Sequence, residues 1–375
     1  MPYTPPTVNY FNSGTATWLS MSGVQSVNIQ RGKQRFQDPF TQTSAVIEII
    51  PTATTSFSVG QMIDVRDTNA DLATCYFQGQ ITDVQRSYAM PYNAGTGATP
   101  ADRIRITATG GTGLIGTAQL AGQTWLSASC AAIIESLLTA QGLQAGSTWS
   151  NNVQASAQTY DGSLLDAINQ LLRTAQLIID DYAVSRTLNK LGFTYYPMGQ
   201  AFNTISFTDT GSGYAYSGLE FLSSVQNTFN WIEVTATDVY NTVAAFGSPP
   251  FNALRYSTFN ATVADTASLA SYLWYLLSGQ VAPAPFSIST STVTSSGCMA
   301  LAQIPASTLG NAVIGQQVGV TFRGSTTYGT VVGVNAAFYP DRGNVQLFLS
   351  PSLGTPFTLD STAFGVLDTN RLGYP

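Results

Sequence analysis

The sequence predicts an α+β chain that is predominantly antiparallel β, with two similar β domains and a small α+β unit inserted between them. The first observation is a repeat, because residues 59–65 (VGQMIDV) have a counterpart at residues 314–320 (IGQQVGV). The second is that short runs of alternating apolar and polar residues follow each copy, and this period is typical of half-buried antiparallel strands. A repeated unit with other material between its copies indicates an internal duplication.

The first β domain is predicted to cover residues 1–118. Alternation predicts strands at residues 24–30, 44–50, 59–65, 76–84 and 103–108. Pro51 ends the second of these strands, since proline cannot donate a ladder hydrogen bond. Residues 91–100 are rich in Gly, Ala and Asn, and we expect them to form a long hairpin tip.

Residues 119–204 are predicted to form the small α+β domain. Residues 125–141 place Leu126, Cys130, Ile133, Ile134, Leu137 and Leu138 on one helical stripe. Gly142 then stands where a C-terminal cap is expected. A second helix is predicted over residues 163–176, entered through Ser163, and two strands near residues 177–181 and 191–195 follow.

Residues 205–352 are predicted to form the second β domain, with a helical insertion near residues 264–280 and the repeated unit at residues 310–350. Tyr272, Trp274 and Tyr275 on the inserted helix could form a stacking platform, but aromatic residues on a helical stripe usually fill a core. The Ser-, Thr- and Gly-rich residues 353–375 are expected to form an extended C-terminal tail.

The composition argues against several classes of partner. Only 9% of the 375 residues are charged, the net charge is −6, and Lys33 and Lys190 are the only lysines. Sequence-specific nucleic-acid binding is therefore not expected, because it needs clustered Lys and Arg. The N-terminus lacks the blocks of a signal peptide, and no apolar run is long enough to span a bilayer.

The sequence also singles out no catalytic, cofactor-binding or metal-binding residue. Without a histidine there is no Ser-His-Asp triad, Cys-His dyad or imidazole ligand. Carboxylate catalysis needs a defined pair of acids. No such pair stands out among Glu48, Glu135, Glu220, Glu233, Asp180 and Asp181. We therefore expect no enzymatic activity and no cofactor. The widely separated Cys75, Cys130 and Cys298 are expected to be buried free thiols.

Two further motifs are open to a functional and to a structural interpretation. Residues 110–113 (GGTG) resemble the start of a phosphate loop, but the Lys-Ser/Thr pair is missing, so a flexible domain connection is the simpler interpretation. Asp64, Asp67, Asn69 and Asp71 could surround a calcium ion. Their spacing does not match an EF-hand loop and no downstream Glu completes one, so solvated turn residues are the preferred interpretation.

Taken in order, several short motifs resemble those of hub or minor tail proteins at the tail tip of long-tailed bacteriophages. The matching segments are residues 27–33 (VNIQRGK), 43–49 (TSAVIEI), 77–84 (FQGQITDV), 162–172 (GSLLDAINQLL), 240–243 (YNTV), 314–320 (IGQQVGV), 331–334 (VVGV) and 347–351 (LFLSP). The resemblance implies two tube-like β domains per chain and a homotrimer. The trimer would be a ring that joins the six-fold tail tube to the three-fold tip and leaves a path for DNA ejection.

The same resemblance implies particular partners and a location. The partners would be the tail tube protein, the distal tail protein and tip, spike or fibre proteins. The location would be the virion, after synthesis in the host cytoplasm. The larger members of the family carry appended lysozyme-like or peptidase domains, which this sequence lacks, so we do not expect it to digest cell wall.

Two other functions remain open from the residues alone. A receptor- or glycan-binding tail adhesin could use exposed aromatic residues such as Tyr88, Tyr92, Trp149 and Tyr214 to stack on sugars. A carboxylate hydrolase is the third alternative. Internal duplication and several edge strands favour the assembly protein, because neighbouring subunits can complete such edges.

Overall fold

The computed structural model describes most of the chain. The described residues are 3–35, 38–51, 56–70, 74–88, 103–148, 153–197, 205–209, 213–220, 229, 231–236, 243–247, 253–259, 266–271, 273, 287–292, 299–305 and 313–351. The predicted hairpin tip at residues 91–100 and the predicted tail at residues 353–375 lie outside these ranges, as do Cys298 and the aromatic residues Tyr272, Trp274 and Tyr275.

Strands dominate the described residues, which confirms the predicted fold class. The strands are β1 (Thr7–Asn12), β2 (Thr17–Ser20), β3 (Val24–Gly32), β4 (Ser44–Ile49), β5 (Met62–Arg66), β6 (Cys75–Ser87), β7 (Arg103–Gly110), β8 (Gln119–Trp125), β9 (Ala128–Ser129), β10 (Gln144–Thr148), β11 (Gln154–Ala155), β12 (Gln158–Ser163), β13 (Leu177–Tyr182), β14 (Gly192–Pro197), β15 (Ile205–Thr208), β16 (Trp231–Ala236), β17 (Val243–Gly247), β18 (Ala253–Thr258), β19 (Ser287–Thr292), β20 (Gln317–Phe322), β21 (Ser325–Phe338) and β22 (Gly343–Pro351). The helices are α1 (Gly111–Leu114), α2 (Cys130–Ala140) and α3 (Leu164–Ala175), and residues 266–271 and 273 are also helical.

The two predicted β domains share one 12-stranded sheet, a feature that the sequence did not predict. Its strand order is β15-β20-β21-β3-β4-β7-β6-β5-β1-β2, with β22 paired to β21 and β19 paired to β22. The second half of β21 pairs antiparallel with β3, from Gly333 opposite Gly32 to Phe338 opposite Val27. This pairing joins the N-terminal β unit to the C-terminal one. The predicted domain bounds remain predictions.

The duplication is visible in the backbone hydrogen bonds at the two repeats. Gly60 N–H donates to the Ile81 carbonyl (2.8 Å), and Ile81 N–H donates to the Gln61 carbonyl (2.9 Å). In the second unit, Gly315 N–H donates to Val331 (2.7 Å), and Val331 N–H donates to Gln316 (2.9 Å). Both glycines have positive φ, 83° and 90°. The same turn therefore leads into β5 and into β20.

Both units also carry an irregularity at the same place in their longest strand. The register of β6 against β7 shifts between Ile81 and Asp83. The register of β21 against β22 shifts between Val331 and Gly333. Since a bulge inserts one residue and bends the strand, two bulges directly after equivalent residues indicate one ancestral unit. Position 81 therefore corresponds to position 331, and position 83 corresponds to position 333.

The α+β unit packs around α2 and α3, and its second helix matches the sequence-based prediction. Ser163 is the N-cap of α3, and its hydroxyl accepts a hydrogen bond from Asp166 N–H at 3.0 Å. The helix ends at Gln176 in the left-handed conformation. Apolar side chains of α2, α3, β13 and β14 form a core separate from that of the large sheet, including Ile134, Leu138, Leu164, Ile168, Leu171, Ile179 and Phe193.

The predicted helix at residues 125–141 was wrong at its start. Trp125 is the last residue of β8, where it pairs with Gln158 of β12, and Leu126 is 83% exposed. The helix begins only at Cys130, with Ser129 as its N-cap. β1 and β2 were not predicted, since the first predicted strand begins at residue 24.

The duplicated turn gives a matched pair of substitutions. At Gly315 a Cβ atom would lie 2.6 Å from Cε2 of Tyr196, whereas at Gly60 nothing lies within 4 Å. We expect Gly60→Ala to lower the free energy of unfolding by about 1–2 kcal/mol, the cost of positive φ. Gly315→Ala should lower it by about 3 kcal/mol or more, because overpacking is added. Urea denaturation measures both changes, and equal losses would contradict this assignment.

Candidate functional site

One face of the large sheet is polar and open to solvent. Alternation along β3, β4, β21 and β22 turns one set of side chains inward and the other outward. The outward set lines an open groove, and the residues lining this groove include Asn28, Gln30, Ser44, Asn335, Asn344 and Gln346. We call this surface the polar face.

The polar face carries few charges. Thr107 and Thr109 extend it on β7, and Glu48 stands opposite Arg105 in the pairing of β4 with β7. Arg103, at the start of β7, is also exposed. Amide and hydroxyl groups can hydrogen-bond a passing polar chain, but they offer no clustered positive charge to hold phosphates.

A buried charge cluster lies under β3, where the large sheet meets the α+β unit. Arg31 of β3 is 2% exposed, and its Nη1 donates to the Gln303 carbonyl at 2.9 Å. The same nitrogen lies 3.8 Å from Oδ2 of Asp180 in β13. Because a buried ion pair is costly to break by removal of one partner, this contact fixes the α+β unit against the sheet.

The two aspartates of β13 have strongly perturbed proton affinities. Burial raises the pKa of Asp180 to about 7, although the Arg31 guanidinium opposes the shift. Burial also raises the pKa of Asp181, while hydrogen bonds from Thr112 and Thr43 lower it in part. The sequence placed these residues at a strand end and gave no signal of their burial beside Arg31.

The GGTG motif binds a carboxylate of the protein. Thr112 N–H donates to Oδ1 of Asp181 at 2.9 Å. Gly110 lies close to the same carboxylate, because a Cβ atom there would be 2.2 Å from Oδ2. Gly110, Gly111 and Gly113 are buried. The predicted flexible connection was therefore wrong, since this segment is a packed junction.

The prediction of solvated turn residues is wrong for Asp64, which belongs to an internal ion-pair network. Asp64 is fully buried and bonds Arg66 at 2.9 Å and Arg186 at 2.8 Å. Asn9 donates from Nδ2 to Oδ1 of Asp64 at 3.0 Å, the same oxygen that Arg186 Nη2 contacts. Asp67 accepts a hydrogen bond from the Tyr76 hydroxyl, and Asp71 lies outside the described residues. Among the residues that the structure describes, no group of three potential metal ligands is found.

A second cavity lies between α3, the end of β3 and β18. Its lining is largely apolar and includes Phe40, Leu172 and Tyr256, with Lys33 at one side. Burial and the nearby Arg173 lower the pKa of Lys33 to about 8. The sequence offered no signal for this cavity, because its lining residues are far apart in the chain.

The structure does not bring together the residues of the other two hypotheses. Tyr88 (64% exposed) follows β6, whereas Tyr214 (38% exposed) forms a bridge with Phe207 of β15. Tyr92 and Trp149 fall in ranges that are not described. Of the four glutamates, Glu233 pairs with the exposed Arg255 at 3.3 Å. Asp180 and Asp181 are both buried, with exposed fractions of 1% and 2%.

Two smaller predictions have clear outcomes. Cys75 and Cys130 are buried free thiols, as predicted, and burial raises the pKa of Cys75 to about 12. In the described part of the chain, no helix combines the length and the apolar character that a membrane span requires.

The raised pKa of Asp180 predicts a pH dependence of stability. The native chain holds this proton up to about pH 7, whereas an unfolded carboxyl releases it near 3.8. The stability from this group is therefore full below its unfolded pKa and lost as the pH rises through about 7. We expect Asp180→Asn to remove this decline, whose slope cannot exceed about 1.4 kcal/mol per pH unit.

Urea denaturation of both proteins at about pH 5 and about pH 8 measures the effect. The exposed Asp341 (side chain 72% exposed) supplies the control, and Asp341→Asn should keep the wild-type slope. An Asp180→Asn variant with the wild-type slope would show that Asp180 is not the titrating group.

Neither protein-family models nor curated protein sequences match the chain, whereas solved structures do. A tail protein from Neisseria meningitidis MC58 aligns with 93% of this chain and 97% of its own, at TM-score 0.59 and 11% identity. A 43 kDa tail protein of prophage MuSo2 from Shewanella oneidensis aligns over 93% and 97%, at TM-score 0.58 and 9% identity.

A third similar structure comes from a secretion system. It is an E. coli protein described as a component of the type VI secretion system with structural similarity to T4 bacteriophage tail proteins. It aligns with 88% of this chain and 74% of its own, at TM-score 0.55 and 12% identity. At such identities the similarity concerns the fold. The chain has the fold of these phage tail proteins over nearly its whole length.

Proposed function

We propose that the chain is a structural protein of the tail-tip or baseplate hub of a phage tail or a related tail-like particle. The observation that carries the proposal is the duplicated β unit within a single sheet, in a chain with the fold of phage tail proteins. A tail tube and a tail tip differ in symmetry. A chain with two equivalent units can present one kind of contact twice.

The proposed assembly is a homotrimeric ring. Three chains with two similar β units each place six units around one axis. Such a ring matches a six-fold tail tube on one side and a three-fold tip on the other. Its expected neighbours are the tail tube protein, the distal tail protein and tip, spike or fibre proteins. The expected location is the virion, after synthesis in the host cytoplasm.

The polar face supplies the wall of the proposed channel. Its uncharged amides and hydroxyls, together with the net charge of −6, give DNA little to bind. DNA could then pass during ejection without being retained. This role requires shape, rigidity and low adhesion, and it requires no catalysis. None of the contacts described above favours the adhesin or the hydrolase over this role.

The direct test is deletion of the gene from the phage or tail-like element that encodes the chain. We expect tails that lack a tip, or no assembled tails, in negative-stain images, and loss of infectivity or killing. Wild-type protein supplied in trans should restore the particles, and gold-labelled antibody should mark the tip. Complete tails that lack only cell binding would move the assignment to an adhesin.

If the polar face lines the channel, positive charges added to this face should retain DNA during ejection. Asn28, Gln30 and Asn344 are exposed on this face. We expect the triple lysine variant to assemble normally and to slow DNA ejection severalfold at low salt, because each chain adds three phosphate contacts. Higher salt should reverse the delay.

A matched control carries three lysines elsewhere. Gln123, Ser127 and Gln141 are exposed on the α+β unit, away from the polar face. Lysines at these positions should leave the ejection rate unchanged. An equal delay in the two triple variants would contradict the assignment of the polar face to the channel.

A further inference from the structure

β6 and β21 are equivalent strands of the two units, but they differ in their neighbours. The second half of β21 pairs with β3, whereas the equivalent half of β6 has no such neighbour among the described strands. In the second unit, β3 covers Gly333–Phe338 of β21. The equivalent residues in the first unit are 83–88, since position 83 corresponds to position 333. On that side β5 pairs only with Cys75–Gln80. Among the described residues, no strand pairs with residues 83–87 there, and we call this segment the β6 edge.

The burial of the two segments differs as expected for a missing partner strand. All residues from Gly333 to Phe338 are buried or half-buried. On the β6 edge, Val84 is half-buried and the other residues are exposed. The Arg86 side chain donates a hydrogen bond to the Phe57 carbonyl at 3.2 Å. Within the described strands, therefore, this side of residues 83–87 is an edge of the sheet.

A second uncovered edge corresponds to β3 itself. Ser26 of β3 pairs with Glu48, which stands opposite Arg105. In the second unit, Ser217 pairs with Ser289, which stands opposite Gln346. These two series of paired residues are equivalent. Thr107 pairs with Asp83 and Phe348 pairs with Gly333, so Thr107 and Phe348 are equivalent residues, and Arg105 and Gln346 each lie two positions before them.

Ser217 therefore stands where Ser26 of β3 stands in the first unit, and residues 218–220 follow it without belonging to a strand of the single chain. Ser217 N–H donates to the Ser289 carbonyl at 2.7 Å, which fixes one side of this segment to β19. Its other side meets no described strand, and Ser217, Gly218 and Glu220 are exposed. We call this segment the 217 edge.

We propose that the β6 edge of one chain pairs with the 217 edge of a second copy of the chain. The pairing is antiparallel and has the register that β3 makes with β21 inside one chain. The inference specifies the interface of the ring under the proposed function and rests on that function. The proposed contact repeats between two chains the pairing that β3 makes with the second half of β21 within one chain.

The register brings complementary side chains together. Val27 opposite Phe338 corresponds to Gly218 opposite Tyr88, and the next pairs are Leu219 with Ser87 and Glu220 with Arg86. Opposite charges directly across an antiparallel pair are stabilising. The contact also covers Tyr88, which is 64% exposed in the single chain. Charge complementarity thus agrees with a register derived only from backbone pairing.

The two edges lie on different units, so the contact is heterologous. A heterologous contact closes into a ring when its rotation is right, and otherwise forms a filament. The internal β3–β21 junction and the proposed junction between chains have the same geometry. Successive units are then related by one repeated rotation, which is the condition for a closed ring of like units.

The first experiment reverses the charges of the proposed pair. Arg86→Glu alone, or Glu220→Arg alone, should raise the concentration at which half of the chain is assembled roughly tenfold. The double variant should restore assembly, as measured by light scattering. Arg255→Glu is the matched control and should leave assembly unchanged, because Arg255 (side chain 67% exposed) lies on β18, outside the large sheet. A double variant as weak as the singles would overturn the register.

The second experiment tests the register by disulfide formation in a Cys298→Ser background. Mixed Ser87→Cys and Leu219→Cys chains should cross-link into a covalent pair on oxidation, and neither variant should cross-link alone. The Gln85→Cys and Leu219→Cys mixture shifts the register by two residues and should cross-link at least tenfold more slowly. If the mixture of Ser87→Cys and Leu219→Cys chains forms no cross-link on oxidation, the inference is overturned. This holds whether the chains assemble or stay monomeric.

The outcomes separate the interface from the proposed function. If gene deletion removes the tail tip but the Ser87–Leu219 cross-link does not form, the hub function stands and this interface is wrong. If deletion leaves the tail intact while the cross-link forms a closed ring, the interface stands and the hub function is wrong.

Discussion

The pairing of β3 with β21 is the constraint on which the rest of the structure depends. It joins strands from opposite ends of the chain and converts two similar β units into one sheet. Gly32 makes the close approach possible, because its φ is +71° and a Cβ atom would lie 2.4 Å from the Val332 carbonyl. Beside it, Lys33 N–H donates to that same carbonyl at 2.9 Å. The ladder therefore continues to the end of β3 without a gap.

The α+β unit is held to this sheet through buried charges. Arg31 extends from β3 toward Asp180, and Asp181 accepts a hydrogen bond from the Thr112 N–H of α1. Arg186 reaches Asp64 of β5 in the same manner. Ion pairs of this kind contribute little net stability compared with an apolar core, but they penalise any arrangement that separates the partners. Two such anchors give the unit one orientation, which suits a protein whose proposed function depends on fixed geometry.

A low surface charge and incomplete sheet edges have a common explanation in assembly. Uncharged polar groups are easier to bury between subunits than unpaired charges are. Exposed edges are a hazard for a protein that works alone, because they recruit other strands. In a protein that completes its sheet with copies of itself, the same edges define the next neighbour. The polar face, which the edges flank, would then form a continuous inner surface.

The sequence by itself determined the fold class, the duplication and the amphipathic helix that Ser163 caps, because these depend on local periodicity, turn residues and capping. It did not determine that the helix predicted from Trp125 begins at Cys130, since pairing of Trp125 with Gln158 overrides the apolar stripe. Tertiary structure alone decided that β3 pairs with β21 and that Arg31 is buried beside Asp180. Such contacts join residues far apart in the chain, and their energy comes from burial and register that no local pattern records.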